Sequence, residues 1–158
     1  MVNSSISIRP ATLEDIPALR EVFRSAVHQV AELAYSEEQA QSWAQFAEDP
    51  AFQNFIVNNS TVVAVQDQIV GFGGLGPDGH IASLYVAGNI QRAGVGSALL
   101  THILQEARDR GERYVFVEAS EFSRPLFSKF GFSLKEVETV ERRGVLFERF
   151  VMHLPLTG

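Results

Sequence analysis

The stretch Gln91-Arg92-Ala93-Gly94-Val95-Gly96 carries more information about this chain than any other. It follows a strand-like segment, residues 81–86, and opens a helix-like one. Glycines at a helix N-terminus let main-chain N–H groups approach a ligand closely, where the helix dipole is positive. The stretch therefore predicts a site for a phosphate or pyrophosphate, with an ordinary strand–helix loop as the alternative.

Two common phosphate-binding classes are excluded by single residues. A dinucleotide-binding loop would have a third glycine where this chain has Leu99. A nucleotide P-loop would end in Gly-Lys-Ser/Thr, whereas the chain reads Gly96-Ser97-Ala98. The ligand that remains is one held mainly by main-chain donors.

Composition predicts one soluble domain over residues 1–158, since 46% of the residues are hydrophobic and 20% are charged. The net charge of −6 disfavours a nucleic-acid partner and is compatible with a cationic substrate such as an amine. Without cysteine there is no disulfide, thiolate zinc site or cysteine nucleophile, and we expect no metal. Neither a membrane-length apolar segment nor a signal peptide is visible, so we expect a cytoplasmic protein without a membrane partner.

Hydrophobic periodicity predicts an α/β (α+β) chain of alternating strands and helices. Capping patterns at Thr12/Asp15 and Ser36/Gln39 mark two helix starts, and Gly111 marks the end of the helix that follows the glycine stretch. Strands are predicted at 5–10, 61–65, 68–75, 80–86 and 114–119, a short helix at 125–130, and a closing hairpin at 132–141 and 145–154.

Two motifs resemble those of the Gcn5-related N-acetyltransferase (GNAT) family. Leu84-Tyr85-Val86 followed by Gln91-x-x-Gly94-x-Gly96 is similar to its acyl-CoA motif. Leu126-Phe127-Ser128-Lys129-Phe130-Gly131-Phe132 is similar to its second motif. The resemblance covers nearly the whole chain and is strongest to the bacterial YafP-like subgroup, through Tyr35-Ser36-x-x-Gln39-x-x-x-Trp43, Glu118-Ala119-Ser120, Arg124-Pro125 and Arg143-Gly144.

The resemblance implies a central mixed, mostly antiparallel sheet of about seven strands with helices on both faces. It also implies acetyl-CoA as acyl donor, with the pyrophosphate on main-chain N–H groups from Arg92 through Ser97. The pantetheine arm would lie in a cleft between the strands that hold Val86 and Val117. The residues expected to contact the cofactor are Leu84, Tyr85, Val86, Gln91, Arg92, Ala93, Gly94, Val95, Gly96, Ser97, Ser120 and Phe127.

The implied reaction is direct attack of a primary amine, from a small molecule or peptide, on the thioester. His80 is the first candidate base, because it lies eleven residues before Gln91, where many family members place a glutamate. Its alternative is a structural role at the turn after Gly79. Glu118 is the second candidate, expected to have a raised pKa through desolvation, with a paired or solvated charge as the alternative.

Two residues depart from the family pattern. Phe127 stands where the family has the tyrosine that protonates the leaving thiolate, which leaves Tyr85 or a water to assist. Ala82 stands where related proteins often have an acidic residue. These departures keep two alternatives open: a non-catalytic domain that binds or senses acyl-CoA, and a protein-modifying acetyltransferase.

The acceptor side rests on a few aromatic and charged residues. The resemblance places Tyr35 and Trp43 over the acceptor site, with a hydrophobic staple and a core anchor as their alternatives. Ser120 would contact the pantetheine or cap the turn that follows it. Arg142 and Arg143 would meet an acidic substrate group, another subunit or solvent. A homodimer is expected to cover edge strands near the final hairpin.

Overall fold

The computed structural model describes residues 5–88 and 94–156, and in the helical segment 30–34 it describes the main chain alone. The described chain forms seven strands and five α-helices. In chain order these are β1 (Ser7–Pro10), α1 (Ile16–Ala34), α2 (Glu37–Ala44), α3 (Ala51–Val57), β2 (Ser60–Gln66), β3 (Gln68–Leu75), β4 (Ile81–Val86), α4 (Val95–Arg110), β5 (Tyr114–Ala119), α5 (Arg124–Lys129), β6 (Ser133–Arg142) and β7 (Val145–Pro155). None of the described helices is both long and apolar enough to cross a bilayer.

The predicted capping boxes are both present. Ser36 Oγ accepts the N–H of Gln39, and the Gln39 side chain accepts the N–H of Ser36, both at 3.0 Å. The box at Thr12 and Asp15 begins a short 3₁₀ turn, Leu13–Asp15, and α1 starts one residue later. Arg9 donates two hydrogen bonds to the Asp15 carboxylate, which lowers the pKa of Asp15 to about 2.

The first sheet is antiparallel, in the order β1-β2-β3-β4, and it is covered on both faces. Successive side chains of a strand point to opposite faces. Accordingly Val62 and Ala64 of β2 pack with Leu99 of α4, whereas Val63 packs with Phe23 of α1. The predicted arrangement of a seven-stranded, mostly antiparallel fold with helices on both faces is confirmed.

The second sheet, in the order β5-β7-β6, meets the first at one point. A parallel bridge pairs His80, just before β4, with Phe116 of β5. In the described part of the chain no other bridge joins the two sheets. Past this joint β4 and β5 separate, and the space between them becomes a cleft. This is the splay that the resemblance implied between the strands of Val86 and Val117.

Gly79 is what allows the two sheets to approach so closely at the joint. Its φ is +81°, a conformation that side chains disfavour, and a Cβ atom there would clash with the carbonyl oxygen of Tyr114. Gly111, which ends α4, also has a φ of +81°, but a Cβ atom there would have no described atom within 4 Å. Gly79 and Gly111 therefore share the same backbone strain, and only Gly79 adds a steric clash when a side chain is introduced.

We expect Gly79→Ala to lower the free energy of unfolding by about 2–5 kcal/mol, because overpacking adds to left-handed strain. Gly111→Ala, the matched control, should lower it by only about 1 kcal/mol. Urea unfolding followed by the fluorescence of Trp43, the single tryptophan, measures both values. Equal destabilisation by the two substitutions would show that the joint is not sterically tight.

Candidate active site

The larger of two adjoining cavities, about 790 Å³, lies in the cleft between β4 and β5. Its walls include many of the residues predicted to bind the cofactor: Leu84, Tyr85, Val86, Gly94, Gly96, Ser97, Ser120 and Phe127. The side chain of Val95 is buried in the core beside Leu99 instead, so only its main chain remains for a ligand. Gln91, Arg92 and Ala93 lie outside the described residues.

One end of this cavity lies at the N-terminus of α4. The first turn of a helix has N–H groups that the helix itself does not use, and here Gly94, Gly96 and Ser97 border the cavity. At the start of α4, the Ala98 N–H donates a hydrogen bond to the Gly94 carbonyl oxygen at 3.0 Å. Lys129, from the end of α5, borders the same cavity and adds a positive charge. This end is suited to an anion.

The second cavity has a volume of about 390 Å³, and seven of its seventeen lining residues are aromatic: Phe23, Tyr35, Trp43, Phe46, Phe55, Tyr85 and Phe147. It shares five lining residues with the first cavity: Trp43, Ala82, Tyr85, Glu118 and Ser120. The two cavities therefore meet along this common wall.

Tyr35 and Trp43 belong to both the aromatic packing and the cavity wall. Their ring centroids lie 5.5 Å apart, and each also packs against Phe147. The Tyr35 hydroxyl accepts a hydrogen bond from the Glu121 N–H at 3.1 Å, which ties the α1–α2 junction to the loop after β5. From the sequence, a packing role and a place beside the acceptor were alternatives for Tyr35 and Trp43. In the structure each residue can have both.

Tyr85 belongs to the common wall of the two cavities, and its ring packs against Phe23 and Phe72. The residue as a whole is half-buried, but burial around the hydroxyl raises the pKa of Tyr85 to about 12. A hydrogen bond with the Trp43 side chain and the positive charge of Arg142 both oppose that rise.

The two predicted base candidates contact each other. His80 Nε2 lies 2.8 Å from Glu118 Oε1, and the imidazole stacks on Phe116 with ring centroids 4.9 Å apart. Glu118 lines both cavities, whereas His80 lines neither of them. Their roles in catalysis stay predictions, but the pair occupies the joint between the sheets and only the carboxylate faces the cavities.

The expectation of a raised pKa for Glu118 is wrong. The hydrogen bond from His80 lowers the pKa of Glu118, and this effect outweighs desolvation, which acts in the opposite direction. The carboxyl is therefore ionised at neutral pH, and His80 Nε2 is the donor in their hydrogen bond. The alternative considered from the sequence, a paired charge, is what the structure has, and the sequence did not identify His80 as the partner.

Phe127 and Ser120 complete the walls. Phe127 is buried and packs against Phe132, with ring centroids 5.2 Å apart, so the wall there is apolar and has no proton to donate. Ser120 caps the turn that follows β5, because its Oγ accepts the N–H of Ser123 at 3.0 Å. Since Ser120 also borders both cavities, capping does not remove it from the site.

Comparison with known proteins agrees with this geometry. A family profile described as "Acetyltransferase (GNAT) domain" matches residues 31–154. The chain belongs to the GNAT family. It is 31% identical to an uncharacterized N-acetyltransferase, YafP, from Escherichia coli (strain K12), over 94% of this chain and 95% of that one.

Two solved structures extend the comparison. A GCN5-related N-acetyltransferase from Rhodopseudomonas palustris is 32% identical, with a TM-score of 0.93 over 99% of both chains. The PaiA N-acetyltransferase from Thermoplasma acidophilum, in complex with coenzyme A, is 21% identical, with a TM-score of 0.79 over 96% of this chain and 99% of that one; it shares the fold. The predicted family is confirmed, and the chain is a GNAT-type N-acetyltransferase.

Several residues of this GNAT site were not assigned to it from the sequence. Phe23 belongs to the apolar stripe of α1 and was indistinguishable from a core residue. Phe46, Phe55 and Arg149 reach the second cavity from three separate elements. Lys129 lies within the second motif, but nothing in the motif indicates that it borders the cleft. No local pattern distinguishes such residues, because the cavity exists only after the elements pack.

We expect His80→Ala to raise the pKa of the Glu118 carboxyl, because desolvation remains while the strongest opposing hydrogen bond is removed. Carbon NMR titration of the Glu118 carboxyl measures the change. His102→Ala, at an exposed position of α4, is the control and should leave that titration where it is. An unchanged Glu118 titration in His80→Ala would contradict the coupling described here.

Proposed function

We propose that this GNAT protein transfers the acetyl group of acetyl-CoA to a primary amine of a small molecule or peptide, without a covalent enzyme intermediate. The observation that carries the proposal is the meeting of two cavities along Ala82, Tyr85 and Glu118. The larger cavity suits the donor, and the aromatic one suits the amine. A donor and an acceptor bound in this way would meet at the common wall, beside an ionised carboxylate.

The donor would be held mainly by the main chain. Its pyrophosphate would lie at the first turn of α4, near Gly94, Gly96 and Ser97, with Lys129 nearby. Its pantetheine arm would run along β4 from Val86 towards Ala82, in the manner of an added strand. The relative from Thermoplasma acidophilum, solved with coenzyme A, supports this assignment of the cleft.

Glu118 would face the amine, with His80 as a positioning residue behind it. A primary amine of pKa near 10.4 is almost fully protonated at neutral pH, and its deprotonation costs about 4 kcal/mol. The ionised Glu118 would attract the ammonium form to the wall, and the proton that the ammonium loses to become a neutral amine would pass to bulk water. Once the neutral amine attacks the thioester carbon, its nitrogen becomes strongly acidic, and Glu118 would accept that proton. The His80 hydrogen bond would keep the carboxylate charged and oriented.

Phe127 cannot protonate the leaving thiolate as the family's tyrosine would. We propose that Tyr85 assists the thiolate instead. When the tetrahedral intermediate collapses, the C–S bond breaks and its electron pair stays on sulfur. A phenol of pKa about 12 would not give its proton to a thiolate whose conjugate thiol has a pKa near 8.5. Tyr85 would instead donate a hydrogen bond to the sulfur, and the Trp43 indole would support it by donating to the phenol oxygen.

The direct test mixes the purified protein with acetyl-CoA and a broad panel of amines. We expect release of CoA together with an acetylated amine identified by mass spectrometry. Binding of acetyl-CoA without transfer to any amine would contradict the proposal and favour a domain that only binds or senses acyl-CoA. Transfer to macromolecular acceptors alone would favour a protein-modifying enzyme.

In an active preparation, we expect Glu118→Gln to lower kcat/KM by about 10²-fold or more, because the site loses its proton acceptor. His80→Ala should lower it by about 10-fold and move the acidic limb of the pH profile upward, since activity requires an ionised Glu118 whose pKa rises. His102→Ala is the control. A larger loss in His80→Ala than in Glu118→Gln, without movement of the limb, would make His80 itself the base.

We expect Tyr85→Phe to lower kcat by about 10- to 100-fold, the usual contribution of one hydrogen bond to a charged group, with little change in KM for acetyl-CoA. Tyr114→Phe, at a residue that is 42% exposed and lines neither cavity, is the matched control. Steady-state kinetics measures both. A normal kcat in Tyr85→Phe would leave a water as the only partner of the thiolate.

A further inference from the structure

The β6–β7 hairpin presents an ordered row of side chains to the second cavity. Val140 lies opposite Phe147, and Glu138 lies opposite Arg149. Residues two apart on a strand share a face, and so do residues directly opposite in an antiparallel pair. Arg142 therefore projects from the same face as Phe147 and Arg149. All three line the cavity.

The arginines of this wall differ in their partners. Arg149 is paired with Glu138 across the hairpin. Arg143 is paired with Asp49, with Nη2 and Oδ2 2.9 Å apart. The guanidinium of Arg142 has no hydrogen-bond or ion-pair partner among residues 5–88 and 94–156. Among the three arginines of the hairpin, Arg142 is thus the one whose guanidinium can pair with a ligand.

The main chain of Arg142 is anchored, its side chain is exposed, and its positive charge acts on a residue of the cavity wall. Its carbonyl oxygen accepts a hydrogen bond from the Ser42 hydroxyl of α2 at 3.0 Å, which anchors the tip of β6. The positive charge favours the ionised form of Tyr85, at the common wall. Glu148, the remaining acidic residue of the lining, is exposed and projects from the opposite face of the hairpin. Burial raises the pKa of Tyr35, and the negative charge of Glu148 adds to that rise, so Glu148 also acts on the cavity wall.

The cavity therefore combines three chemical features. Glu118 supplies a negative charge at the common wall, Arg142 supplies a positive charge at the hairpin, and seven aromatic residues line the same cavity. A primary amine fits the first, and an anion that can accept two parallel hydrogen bonds fits the second. A volume of about 390 Å³ is that of a small-molecule pocket.

We infer that the acceptor is a small amine whose apolar or aromatic body carries a carboxylate, which the Arg142 guanidinium binds. This inference rests on the proposed acetyl transfer and names its substrate class. The amine would lie at Glu118, the body against Trp43 and Phe147, and the carboxylate at the hairpin. Arg142 sets specificity in this arrangement and takes no part in the bond changes.

The kinetic test compares two amines that differ only in the carboxylate, 2-phenylethylamine and 4-(2-aminoethyl)benzoic acid. The wild-type protein should prefer the carboxylated amine by about 10-fold or more in kcat/KM, and Arg142→Gln should remove the preference. The ratio of the two kcat/KM values is the readout, because loss of the Arg142 charge also acts on Tyr85 and affects both amines alike, and circular dichroism shows that the variant is folded. Arg108→Gln, at an exposed position of α4, is the control for the change of charge.

A binding test keeps the inference separate from the proposed transfer. Calorimetry in the presence of CoA measures 4-ethylbenzoate, which has the ring and the carboxylate but no amine. Arg142→Gln should weaken its binding about 10-fold or more. Arg142-dependent binding without transfer to any amine would reject the proposed function and keep the carboxylate site. Binding that is absent, or equal in wild type and Arg142→Gln, overturns the inference, as does equal acetylation of both amines.

Discussion

The whole site depends on one contact, the joint where His80 meets Phe116. Two antiparallel sheets that were paired along their full edges would leave no cleft, and two unpaired sheets would leave no fixed one. A single bridge, with Gly79 pressed against the main chain of Tyr114, brings the edges together at one end only. The same joint carries the imidazole that holds the Glu118 carboxylate. Fold and electrostatics are therefore set at the same place.

The two cavities are built by different means. The donor side relies on main-chain groups at a strand edge and a helix N-terminus, whose chemistry changes little when side chains change. The acceptor side is made of side chains from α1, α2, α3 and the final hairpin. Polar contacts hold that hairpin to α2 and to the turn after it: Ser42 with the Arg142 carbonyl, Gln39 with the Leu146 carbonyl, and Arg143 with Asp49. Substrate choice can therefore vary while the donor side is kept.

Features that depend on neighbouring residues could be predicted from the sequence. Contacts between residues far apart in the chain could not. The capping box at Ser36 and the helix end at Gly111 follow from a few neighbouring residues, and the structure has them where they were predicted. His80 and Glu118 were each noticed alone, but their contact depends on the register of strands far apart in sequence. For that reason the sequence left open whether Glu118 is desolvated or paired, and only the structure shows the pairing that lowers its pKa. The aromatic cavity was missed for the same reason, since no segment contains it.

Ala82 has a consequence for the length of the acyl chain that can be transferred. It is the smallest side chain of the common wall. With the donor placed as proposed, the first carbons beyond an acetyl group would pass Ala82 and enter the second cavity. That space is the one the acceptor's own body needs. Donor chain length and acceptor size therefore compete for a single volume, and a longer acyl group would be accepted only with a smaller amine.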